Sequence, residues 1–158
     1  MNKILKTKKI TLSILLIMVM LSQTIFVMGD LQYKLRISDA GYADLDSDGN
    51  QNDVYINFDI NISLISNTVN MKLDNQYILD YTLKLPSGIT YEYTFALKFI
   101  KSIADYSYQI INYNVVTETG MYKANLVLYD SNNVILTKGN IVFDPPTVGT
   151  GGPIDAVI

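Results

Sequence analysis

From Leu31 onward, apolar residues recur at every second position, the period of a strand with one buried and one solvated face. Leu31, Tyr33, Leu35 and Ile37 alternate with Gln32, Lys34, Arg36 and Ser38. Val54, Ile56, Phe58, Ile60, Ile62 and Leu64 alternate with Tyr55, Asn57, Asp59, Asn61 and Ser63. The same pattern returns from Tyr77 to Leu85, from Tyr91 to Phe99, less cleanly from Tyr106 to Val116, from Tyr122 to Leu128, and from Val134 to Phe143. Pro86-Ser87-Gly88 and Ser131-Asn132-Asn133 punctuate it as turns, and Gly139-Asn140 predicts a bulge or kink in the last strand. No segment has helical periodicity. About seven short alternating strands predict an all-β chain, an antiparallel immunoglobulin-like β-sandwich, with a barrel as the structural alternative.

Residues 1–29, MNKILKTKKITLSILLIMVMLSQTIFVMG, break the pattern. Lys3, Lys6, Lys8 and Lys9 precede an apolar run, and Val27 and Gly29 suit the small positions before a signal-peptidase cut. The segment reads as a secretory signal cleaved near Gly29, and its competing reading is an uncleaved anchor, since Ile10 to Met28 is just long enough to span a bilayer. The expected organisation is therefore 1–29 signal peptide or anchor, 30–146 sandwich, and 147–158, TVGTGGPIDAVI with its glycines and proline, a flexible tail. The apolar IDAVI ending leaves open a second reading of that tail, a strand donated to the open sheet edge of a neighbour. The expected location is extracellular or at the cell surface.

Composition narrows the chemistry. Without residues 1–29 the chain keeps eight Lys and Arg against 15 Asp and Glu, a net −7. That sign argues against nucleic acid and anionic membrane as partners. With 49% hydrophobic and 17% charged residues the chain can build a core. There is no Cys and no His, which removes disulfides, zinc sites and the Ser–His and Cys–His forms of nucleophilic catalysis. Glu92, Glu118, Asp80 and Asp105 are the carboxylates a glycosidase would need to pair. Nothing in their spacing pairs them, and no enzymatic activity is expected.

The stretch Asp44 to Ile56, DLDSDGNQNDVYI, is the one candidate chemical site. Asp44, Asp46 and Asp48 stand at alternate positions before Gly49, so oxygen ligands at positions 1, 3 and 5 can converge on one ion while glycine at 6 allows the sharp turn. Asn50, at position 7, offers its backbone carbonyl, and Asn52 or Asp53 closes the shell directly or through water. Calcium is the expected ion, with magnesium and an ion-free polar turn as the alternatives. Position 12 is Tyr55 rather than a bidentate Glu, so the loop is no EF-hand. It resembles the Asp-x-Asp-x-Asp-Gly loops between strands of extracellular calcium-binding repeats, including integrin-type propeller loops. Those typically carry their final aspartate at position 9, where this chain has Asn52.

A broader resemblance lies in residues 117–146, TETGMYKANLVLYDSNNVILTKGNIVFDPP, which are similar to the last two strands of secreted microbial immunoglobulin-like domains. The Gly120-Met121-Tyr122 step resembles the entry into a late strand of such folds. The Cys pair and core Trp of antibody-type domains are absent. The resemblance implies a surface module with a structural, adhesion or assembly role and an unnamed surface protein or glycan as partner. Twelve tyrosines, among them Tyr77, Tyr81, Tyr91 and Tyr93, supply the alternative of a carbohydrate-binding module that stacks sugar on tyrosine. Asn61-Ile62-Ser63 is an N-glycosylation triplet.

Overall fold

The structure, a computed structural model, describes residues 31–65, 73, 76–144 and 155–158. The expected signal segment lies outside the described residues. All regular elements there are strands: β1 (Leu31–Ala43), β2 (Asp53–Leu64), β3 (Tyr77–Lys84), β4 (Thr90–Leu97), β5 (Ala104–Tyr113), β6 (Tyr122–Tyr129), β7 (Ile135–Phe143) and β8 (Asp155–Val157). Two separate antiparallel sheets result, in the orders β1-β2-β5-β8 and β4-β3-β6-β7. First, second and fifth strands on one sheet and third, sixth and seventh on the other is the immunoglobulin-type sandwich arrangement. It is not a closed barrel.

Alternation sets the core. The inward residues Ile56, Phe58 and Ile60 of β2 share one buried core cluster with Leu79, Tyr81 and Leu83 of β3. On the other face of β2, Asn57, Asp59 and Asn61 accept from or donate to Gln109, Ser107 and Asp105 of β5 at 2.9, 2.6 and 2.6 Å. Such cross-strand polar pairs keep the solvated face of the first sheet in register. Asn61 of the glycosylation triplet lies on this face.

Two hydrogen bonds made by tyrosine hydroxyls tie the sheets together through the core. Tyr33 of β1 and Tyr77 of β3 share a hydrogen bond of 2.9 Å. Tyr81 of β3 donates to Asn112 Oδ1 of β5, with both residues fully buried. Tyr122 opens β6 and folds its hydroxyl back on the chain, donating to Glu118 O at 3.0 Å and accepting from Glu118 N at 3.1 Å. That is the corner by which tyrosine fixes the strand entry in immunoglobulin-type sandwiches.

Two irregularities differ from the alternation pattern. The bulges fall between Ile37 and Asp39 and between Leu128 and Tyr129, not at Gly139-Asn140. Gly139 pairs in register with Leu126, and its lack of a side chain serves a different end. A Cβ there would lie 2.6 Å from Leu35 Cδ2 of β1. The glycine lets the edge strands β7 and β1 of the two sheets approach, and Leu35 N donates to Thr137 Oγ1 at 3.1 Å beside it. The other finding is β8, within the segment expected as a tail: Asp155, Ala156 and Val157 pair with Tyr113, Asn112 and Ile111 of β5 in the same chain.

Candidate metal centre

The loop that joins β1 to β2 is shaped by its own short side chains. Asp48 N donates to Asp46 Oδ1 at 3.1 Å, Asn50 N to Asp48 Oδ1 at 2.8 Å and Gly49 N to Asp44 Oδ2 at 3.1 Å. These are the local turns that aspartate favours. Ser47 and Gly49 have φ of 63° and 91°, the left-handed conformation that glycine adopts without strain. The result draws the carboxylates of Asp44, Asp46 and Asp48 together, with one oxygen from each within 4.8 Å of the others. Two oxygens bound to one calcium at 2.3–2.6 Å are at most about 5 Å apart, so the three fit a single ion. Asp44 is half-buried and the other two are exposed.

Two of the remaining three residues of the expected ligand set, Asn52 and Asp53, occupy a deeper layer. Asp53 is fully buried at the start of β2. Its Oδ2 accepts from Leu45 N at 2.6 Å and Asp46 N at 3.1 Å, and its Oδ1 accepts from Asn114 N at 2.8 Å. Three backbone donors on one carboxylate replace the water it lost on burial. Asn52, also fully buried, donates from Nδ2 to Asn114 Oδ1 at 2.8 Å, and its backbone carbonyl accepts from Val116 N at 2.9 Å. Asn50 is half-buried, with its N–H committed to Asp48. The structure thus brings Asp44, Asp46 and Asp48 to one point and places Asn52 and Asp53 beneath them.

Asn114 is the residue that sequence reasoning missed. It follows β5 in a left-handed conformation, φ 59°, which asparagine tolerates better than most side chains. Its Nδ2 donates to Asp46 Oδ2 at 3.3 Å. One residue therefore contacts Asp46, Asn52 and Asp53. The only local signal is an Asn just where the alternation of Tyr106 to Val116 loses its regularity. Two buried oxygens in this layer, Asp44 Oδ1 and Asn52 Oδ1, have no hydrogen-bond partner. The donor set is all oxygen, hard and negatively charged, the chemistry that suits calcium or magnesium.

The other candidates are dispersed. Asp80 accepts from Thr94 Oγ1 at 2.8 Å on the outer face of the second sheet, and Asp105 accepts from Asn61 on the outer face of the first. Glu118 accepts from Ser87 N at 2.7 Å in the connection between β5 and β6. Among the tyrosines weighed for stacking on sugar, Tyr77 and Tyr81 are core residues. Tyr91 and Tyr93 of β4 are half-buried, and Tyr93 stacks on Tyr81 with ring centroids 6.0 Å apart.

No family model and no curated protein matches the chain. Among solved structures it is similar to Bacteroides uniformis β-glucuronidase at 13% identity and a TM-score of 0.42, covering 72% of this chain and 13% of that one. It is similar to a Bacteroides fragilis protein described as a β-galactosidase at 14% identity and a TM-score of 0.37, over 79% of this chain and 20% of that one. A Bordetella pertussis protein described as ApaA matches at 9% identity and a TM-score of 0.31, over 72% of this chain and 94% of that one. At these scores the likenesses add nothing to the fold read from the strands themselves, and the chain stands as an all-β sandwich with an aspartate cluster able to hold a metal ion.

Proposed function

We propose that this chain is a secreted or cell-surface β-sandwich module, stabilised by a calcium ion in its first hairpin loop, with a structural, adhesion or assembly role. The observation that carries the reading is the convergence of Asp44, Asp46 and Asp48 within 4.8 Å. Three carboxylates held that close repel one another, and a divalent cation relieves the repulsion. Asp53 and Asn114 hold the loop from below. Calcium takes six to eight oxygens; the three carboxylates supply some, and the Asn50 carbonyl and water complete the shell. The N-terminal charge and hydropathy pattern support export. Extracellular loops of this kind bind calcium with dissociation constants of roughly 10⁻⁴–10⁻³ M, which suits a structural ion outside the cell rather than a cytosolic sensor.

Thermal unfolding in about 10 mM calcium and then in a chelator tests this. An ion at 10 to 100 times its dissociation constant adds about 1.4–2.7 kcal/mol to the native state, a rise of several degrees in the midpoint. The rise is expected to be smaller with magnesium and absent in Asp46→Ala. An identical midpoint in calcium and chelator would reduce the loop to a polar turn.

A further inference from the structure

The geometry points to strand exchange: the C-terminal strand β8 of one copy docks on β5 of a second copy, through the same pairs it makes within its own chain. The inference deepens the assembly role proposed above by naming the partner and the contact. Strand β5 is bonded to β2 along one edge, from Ala104 to Asn112. On its other edge β8 covers only Ile111, Asn112 and Tyr113. Among the described residues, Ala104 to Ile110 pair with nothing on that side. So short a cover leaves this edge of β5 accessible to a strand from another copy, and the chain itself shows which segment seats on Ile111 to Tyr113.

The pairing within the chain is slight. Three residue pairs hold β8, and Val157 and Ile158 each remain 42% exposed. Short edge strands with few buried contacts open at little cost. Residues 144–154 separate β8 from the end of β7. A linker of that length reaches up to about 40 Å when extended, enough to place residues 155–158 on their own β5 or on a neighbour's. Exchange restores every contact it breaks, which is why swapping is a low-cost route to association. Reciprocal exchange gives a closed dimer and one-way exchange an open chain of copies.

The absence of cysteine makes the test clean. Two variants of the protein are made, Ile111→Cys and Val157→Cys, each with a single thiol. Directly paired antiparallel residues lie about 4.5–5.5 Å apart, within disulfide range. The two variants are mixed at about 0.1 mM and oxidised. A docked strand holds the thiols at an effective concentration of roughly millimolar, about ten times the total protein, so mixed dimers are expected to outnumber the two same-variant dimers together by roughly tenfold, where random pairing of an equal mixture gives about one to one. Its yield is expected to fall on dilution. The double variant, oxidised alone at low concentration, reports the pairing within one chain and shows that both substitutions leave the strand able to dock. A mixed dimer at the proportion of random pairing overturns the exchange. Sedimentation of the unmodified protein then separates the two claims. Polymers without the excess leave an assembly role through another surface, and a monomer at every concentration removes that role as well.

Discussion

Asp53 accepts the backbone N–H of Asn114 at 2.8 Å across 61 positions of the chain, and this bond joins the aspartate loop to the end of β5. Replacing Asp53 with Ala strands the buried Asn114 N–H and frees those of Leu45 and Asp46. Each buried donor left unpaired costs about 1–3 kcal/mol. A loss of about 3 kcal/mol in denaturant unfolding is expected for Asp53→Ala, together with loss of any calcium-dependent shift. An unchanged midpoint would show that the loop is held by its own turns alone.

Tyr81 and Asn112 make the corresponding prediction for the core. Asn112 Nδ2 has no hydrogen-bond partner, so the Tyr81 hydroxyl is the contact that offsets burial of the amide. Tyr81→Phe leaves Asn112 without it and is expected to cost about 1–3 kcal/mol. Adding Asn112→Leu replaces the stranded amide by an apolar side chain and is expected to recover most of the loss. A double variant as unstable as the single would place the cost in packing of the ring, not in the bond.

Gly139→Ala tests the approach of the two sheet edges. The added methyl group meets Leu35 Cδ2 at 2.6 Å, and Leu35 is only 7% exposed, so the leucine has little room to yield. A cost of about 1–3 kcal/mol is expected for the overpacking. At Gly41 the nearest atom is the Tyr55 hydroxyl, at 2.5 Å, but Tyr55 is half-exposed at the loop end of β2 and can swing away. Gly41→Ala is expected to cost clearly less in the same melt. Equal costs would mean that Leu35 moves as freely as Tyr55.

Alkaline pH should weaken the fold before it ionises the core. Burial pushes the Tyr81 hydroxyl well above its ordinary value of 10.0, with the Tyr93 hydroxyl adding to the rise, and burial raises Tyr108 and Tyr122 as well. Such a group is neutral in both states below its unfolded value. Above about pH 10 the unfolded chain loses the proton while the folded chain keeps it, so stability falls by up to about 1.4 kcal/mol per pH unit for each. Phenolate absorbance is expected to rise for the exposed tyrosines first, and for Tyr81 only together with unfolding. Smooth titration of every tyrosine with the fold intact would contradict this.

The sequence carried the strands because alternation is a local property. Every inward residue from Val54 to Ile62 could be placed by counting twos, and Asp44, Asp46 and Asp48 could be grouped because their spacing is the geometry of the loop. Long-range relationships were not legible. Asn114 reaches Asn52 across 62 positions and Asp46 across 68, and no local pattern marks it. Gly139 looked like a break in its own strand because the leucine it makes room for lies on β1. In β8, three residues have too little pattern to distinguish a strand from an apolar end; only the edge of β5 gives them a partner.

The end of β5 supports two structures at once. Ile111, Asn112 and Tyr113 hold β8, and Asn114, the next residue, holds the aspartate loop through Asp46 and Asp53. A fluctuation that unseats this corner releases both. In hydrogen exchange, an opening that exposes the amide of Asn114 is expected to expose those of the β8 ladder too, although β8 can also open without it, and the chain's C-terminal strand and its candidate ion loop, far apart in sequence, meet at one corner.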